Sequence, residues 1–142
     1  MKFKIGFEPE DKKIVFDYWN DIFQNNIWSD GKYTKILEER WSLHNSLESL
    51  AFSSWSGAAE AVLNYYNLNN ETILCPSNTF QATPMLSKLC GADIKFVDCN
   101  KNDLCISFDD LKKKVIKHKP KAVWVVHIGG HITFEIEQIA DF

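Results

Sequence analysis

The 142-residue chain lacks the marks of several protein classes. Positive charge is not in excess: 16 Lys and Arg against 19 Asp and Glu leave a formal charge of −3. No basic footprint for nucleic acid follows from that balance. No apolar run approaches the roughly 20 residues of a membrane-spanning helix, so no membrane partner is expected. The opening MKFKIGFEPEDKK is too charged for a secretory signal. The four cysteines, Cys75, Cys90, Cys99 and Cys105, contain no CxxC pair. Without a signal they are expected to stay reduced, as small buried hydrophobes in a cytoplasmic protein. Neither GxGxxG nor GxxxxGK[ST] occurs, so neither a dinucleotide nor an NTP is indicated.

What is present is ordinary for a globular chain: 45% hydrophobic and 25% charged residues. The ten Phe and five Trp are on the rich side, and such rings need a sizeable core or interface to cover them. A chain of this length fits one domain and buries roughly 68–70% of its unfolded surface. The positive cluster Lys112, Lys113, Lys114, Lys117, Lys119 and Lys121 falls late in an expected helix, where cations suit the helix dipole. A solvated helix end is the simpler reading of it.

Residues 11–28 carry Ile14, Val15, Tyr18, Trp19, Ile22 and Phe23 at helical spacing. SDGKYT breaks that pattern, and a second amphipathic helix starts near Thr34 and runs through Leu37, Trp41 and Leu43. These give an N-terminal helical segment over residues 1–45. Over residues 46–142 strands alternate with helices. LAFSSW (50–55), TILCP, ADIKFVD and AVWVVHI read as strands. SGAAEAVLNYYNL, with Ser56 as N-cap, reads as a helix. QATPMLSKL, SFDDLKKKVIKH and ITFEIEQIADF read likewise, and Ser107 with Asp110 comes close to a capping box. Alternation implies crossovers, hence an α/β domain with a mostly parallel sheet of four strands and helices on both faces.

In such sheets ligands gather beyond the carboxyl ends of the strands. At the first turn, Ser56, Gly57, Ala58 and Ala59 place small residues where a helix begins. An anion can approach free N–H groups there, with phosphate the natural guest; close packing of helix on sheet is the equal alternative. At the second, CPSNTFQATP, Phe80 either stacks on a flat ring or folds back onto the core, the commoner fate of an isolated Phe. At the third, Asp98 and Asp103 suggest a metal pair or, more simply, a solvated turn. At the last, His127 and His131 are four apart, but Gly129 and Gly130 break the helix that would aim both at a metal. A hydrogen-bonded structural histidine is the commoner case.

In order along the chain stand W-S-D-G-K-Y-T, S-G-A-A, C-P-S-N-T-F-Q-A-T, G-A-D-I-K-F-V-D and V-H-I-G-G-H. Together, over about residues 28–142, they resemble the first half of the DegT/StrS-type sugar aminotransferases. The resemblance implies an incomplete large domain of the pyridoxal-phosphate (PLP) fold-type I, aspartate-aminotransferase-like architecture. It implies PLP as cofactor, with Gly57, Ala58 and Ala59 holding its phosphate and Phe80 stacking on its pyridine. His127 and Gly129 match a strand-end segment that is mainly structural. Where many members carry Thr after the glycine this chain has Ala58, which removes one hydroxyl contact of about 0.5–1.5 kcal/mol.

The family's pyridinium-binding acid and Schiff-base lysine match no residue here, so no catalytic residue and no metal ligand is assigned. The expectation is an N-terminal portion, inactive as it stands. In a complete enzyme the resemblance implies transfer of an amino group from a donor such as glutamate to a keto-sugar nucleotide. It also implies a homodimer or a complementary subunit. A phosphate-binding α/β module, or an interaction remnant, is the alternative.

Overall fold

The computed structural model describes residues 6–29 and 31–142. Met1–Ile5 of the charged opening and Asp30 of the SDGKYT break lie outside the described residues. The chain divides into two compact units, Met1–Ala51 and Phe52–Phe142.

The first unit is a pair of helices. α1 (Pro9–Asn25) has Pro at its start and Glu10 and Asp11 in its first turn, where acids suit the helix dipole. It ends at Asn25, three residues short of the expected end, with Asn26 in the left-handed region as its cap. α2 (Lys32–Asn45) begins at Lys32, two residues before Thr34. Asp21 joins the helices, accepting from Lys32 (2.8 Å) and from the Tyr33 hydroxyl (2.9 Å). Neither helix contains a buried residue, and Trp19, Phe23 and Trp41 all stand exposed.

The second unit is built on a parallel sheet of three strands, β1 (Thr72–Pro76), β2 (Asp93–Val97) and β3 (Ala122–Val123), in the order β2-β1-β3. Side chains alternate across a strand, so neighbouring residues of the central β1 enter different cores. Ile73 packs with Leu63, Leu68 and Ala92, under α3 (Trp55–Tyr65) and α4 (Ala82–Leu89). Leu74 packs with Val97, Ile106 and Leu111, under α5 (Phe108–His118) and α6 (Ile136–Ala140). Helices therefore cover both faces, as the α/β reading requires.

Two expected elements differ. LAFSSW forms no strand: the Ala51 N–H bonds the Glu38 carboxylate (2.9 Å) rather than a ladder, and α3 already begins at Trp55. The sheet has three strands among the described residues, not four. AVWVVHI pairs only as far as the bond from Trp124 N–H to the Leu74 carbonyl (2.9 Å). The next rung on that side needs an N–H from residue 76, and Pro76 has none. Residues beyond Trp124 are thereby released from the ladder.

Gly91 (φ +86°) closes the turn into β2, and a Cβ there would run into the Asn69 side chain. Gly129 (φ +63°) and Gly130 (φ +80°) form a short 3₁₀ turn, α-like only in part, that folds the chain after β3 back on itself.

Candidate functional site

The β1 and β3 chains leave the sheet in opposite directions. From β1 the chain enters α4 on the Ile73 face; from β3 it continues to α6 on the Leu74 face. Adjacent parallel strands whose connections diverge open a crevice at their carboxyl ends. A cleft of about 660 Å³ lies there, within the range of small-ligand sites.

Its walls come from four segments: Ser54–Ser56 at the start of α3, Thr79 and Phe80 after β1, Ala82 and Thr83 at the start of α4, and the run from Trp124 to Gly129. The α3 N-terminus is set by Ser54, not Ser56. Ser54 has extended backbone angles, and its hydroxyl accepts from the Gly57 N–H at 3.2 Å. The Ala58 N–H is taken by the Ser54 carbonyl (3.3 Å), and Ala59 is buried beneath the helix. The residues facing the cleft are thus Ser54, Trp55 and Ser56, with Gly57, Ala58 and Ala59 one turn behind.

Phe80 does not fold back onto the core; it is 72% exposed at the rim. Its loop is pinned by Asn78, whose amide bonds the Leu104 carbonyl (3.0 Å), and by Thr79, whose hydroxyl donates to Thr83 (3.1 Å). Two tryptophans were not among the expected site residues. Trp55 and Trp124 meet with ring centroids 5.7 Å apart, and the Trp124 indole N–H donates to Ser87 (2.8 Å). Both sit in segments read from sequence as strand, where an aromatic signals burial rather than a binding wall.

Asp103 is not in a solvated turn. It is 6% exposed and accepts from Cys105 N–H (2.9 Å), Phe134 N–H (2.7 Å) and the Thr133 hydroxyl (3.3 Å). The Phe134 amide foremost, with the other two donors, holds its carboxyl below the ordinary 3.8 although burial pushes it up. Among the described residues no three metal-ligating side chains cluster, and Asp98 stays exposed. His127 and His131 do not converge: the His127 ring accepts from the Thr133 N–H (3.3 Å), while His131 lies against Phe134. Cys75 is fully buried, and that burial pushes its thiol up to about 11.

The cleft suits a flat, anionic ligand. Exposed aromatic rings line it, two helices begin at it, and small residues leave room for a phosphate. A parallel sheet covered on both faces, with a ligand-sized crevice at its switch point, defines an α/β small-molecule or cofactor-binding domain.

Residues 9–142 match the DegT/DnrJ/EryC1/StrS aminotransferase family, and the chain belongs to it. It is 26% identical over 144 residues to GDP-perosamine synthase of Escherichia coli O157:H7, a match that takes in 99% of this chain and 39% of that protein. Among solved structures it resembles a DegT DnrJ EryC1 StrS aminotransferase from Brucella abortus (TM-score 0.78, 20% identity, 97% of this chain and 41% of the other). It also resembles Spr1654 from Streptococcus pneumoniae in its PLP form (TM-score 0.75, 20% identity, 97% and 36%). These are enzymes of the PLP fold-type I architecture, and the family is PLP-dependent. The chain spans about two fifths of the length of the relatives it matches.

Proposed function

We propose that these residues form the first part of the cofactor-binding domain of a nucleotide-sugar aminotransferase, with the cleft at the β1/β3 switch point as its PLP site. The observation that carries this reading is the convergence of Phe80 and the capped start of α3 on one cleft, from segments more than twenty residues apart. Ser54 and Ser56 would hold the phosphate through their hydroxyls at the helix N-terminus, the Gly57 N–H being already taken by the Ser54 oxygen. Ala58 and Ala59, lacking bulk, let the helix lie close behind it. Phe80 would cover one face of the pyridine. When bound, PLP supplies an electron sink for moving an amino group between an amino acid such as glutamate and a keto sugar. The relative named for a GDP-sugar supports a nucleotide-linked sugar as the acceptor class.

No lysine and no carboxylate lines this cleft among the described residues. As it stands, the segment therefore binds PLP without a covalent bond and turns over no substrate. Titration with PLP, followed by quenching of Trp55 and Trp124 fluorescence, tests the site. Saturable quenching that competes with inorganic phosphate supports it; no quenching at millimolar PLP rejects it.

A complementary polypeptide, either another subunit or a second copy in a homodimer, is favoured by a separate observation. β3 is paired on one side only among the described residues, and beside it lies an apolar groove of about 270 Å³ lined by Val62, Tyr66 and Trp124. An open edge next to an apolar groove is what an added strand would cover.

A further inference from the structure

We propose that Asp103 is a positioning residue of the cleft: acting through Thr133, it fixes His127 as the Nε2–H tautomer, a hydrogen-bond donor for an oxygen atom of the bound ligand. The ligand's identity rests on the reading above; the placement of the proton does not.

His127 is the one titratable side chain among the described residues lining the cleft. Its Nδ1 accepts from the Thr133 N–H at 3.3 Å. An accepting ring nitrogen carries no proton, so a neutral imidazole held in this way bears its hydrogen on Nε2. The bond exists because the chain doubles back at once after β3. Gly130 N–H reaches the His127 carbonyl (3.0 Å) and His131 N–H the Ile128 carbonyl (3.0 Å), through two glycines at positive φ. The reversal returns residue 133 to the ring of residue 127.

A short glycine turn by itself is deformable, and here a second loop locks it. Asp103 comes from the segment between β2 and α5. One of its oxygens accepts both the Phe134 N–H and the Thr133 hydroxyl, while the other accepts the Cys105 N–H. Thr133 is 1% exposed, so water does not compete for its groups. A carboxylate that keeps its charge in such a setting orients its donors firmly. The Thr133 amide therefore points at His127 rather than at solvent. His131 adds a weaker electrostatic contribution that also lowers the Asp103 carboxyl. An alternative role for Asp103, to staple two loops and nothing more, would leave the imidazole free to choose its tautomer.

The proton position can be read directly by long-range 1H–15N NMR of the 142-residue chain at about pH 8, where an ordinary imidazole is neutral. His127→Gln supplies the assignment. The expected result is a single Nε2–H tautomer, with a coupling across the hydrogen bond from the Thr133 amide nitrogen to Nδ1. Asp103→Asn is expected to weaken that coupling and to bring up an Nδ1–H signal. An Nδ1–H form in the unaltered chain, or spectra unchanged by the substitution, would overturn the proposal. If Asp103→Asn does not fold, Thr133→Val removes the hydroxyl bond alone and is expected to lower the same coupling. On adding PLP the Nε2 signal should move. Indole shifts of Trp55 and Trp124 without it would refute the donor role. If no signal moves, the cofactor reading and the donor role fall together, and the tautomer spectra alone decide the part played by Asp103.

Discussion

Ile73 and Leu74 are consecutive in β1, both fully buried, and belong to different cores. The central strand is therefore the shared wall of two helix layers, and each layer depends on a few of its side chains. Leu74→Ala leaves a cavity among Val97, Ile106 and Leu111. A loss of about 2–5 kcal/mol is expected, comparable to the low end of a domain's whole stability. Urea unfolding followed by circular dichroism measures it; a loss below about 1 kcal/mol would contradict a tightly packed second core.

Removing the Phe80 ring is expected to weaken PLP binding about two- to twelve-fold, the equivalent of roughly 0.5–1.5 kcal/mol of aromatic stacking. The exposed ring carries no core packing, so unfolding should be unchanged. Equal affinities for Phe80→Ala and the unaltered chain would remove the ring from the site.

Ser54→Ala tests the start of α3. The cap accepts the Gly57 N–H, and its loss costs about 0.5–2 kcal/mol, whereas Ser54→Gly costs only a few tenths. Ser56→Ala, at the position read from sequence as the cap, is expected to leave stability unchanged. The pair of substitutions, compared in thermal unfolding, separates the two assignments.

Acid should destabilise the second unit through Asp103. Its folded carboxyl titrates below 3.8, so the unfolded chain takes up this proton first as pH falls. The resulting stability is whole at neutral pH and is lost as pH drops below 3.8 through the folded value. Asp21, lowered mainly by its bond with Lys32, and Asp109, lowered mainly by Lys112, act in the same direction. Both pairs are at the surface and are screened by salt. Urea midpoints between about pH 3 and pH 6 in high salt should retain the Asp103 part, and Asp103→Asn should flatten it.

Cys75 combines full burial with a thiol pushed up to about 11. Iodoacetamide at neutral pH should modify it only in urea, because the thiolate is the reactive form. Mass spectrometry after a timed exposure gives the answer; rapid labelling of native Cys75 would contradict its burial.

Much of this structure was open to sequence reading, because local chemistry settles it. The apolar run TILCP stopped by its proline, the serine before FDDLKKK and the glycine before ADIKFVD each act within a few residues. The failures had long-range causes. LAFSSW has the composition of a strand, yet a strand exists only if another offers it an edge, and Ser54 turned that stretch into a helix start. AVWVVHI has the residues of a long strand, but a proline on its neighbour ends the ladder after Trp124. Asp103 lies in a polar turn whose burial depends on residues 133 and 134, thirty positions away.

The sequence by itself determined the class of the protein: strands and helices in alternation, small residues at a helix start, an aromatic in a strand-end loop, and the order of motifs shared with its family. Only the tertiary structure decided which of those residues face one cleft. It put Ser54 and Trp55 at the front with Gly57, Ala58 and Ala59 behind, set Trp124 against Trp55, and linked His127 through Thr133 to a carboxylate from another loop. The reason is physical. Periodicity and capping are read over one or two turns of chain. A cleft is made where strand connections diverge, and no local pattern records which segments will meet there.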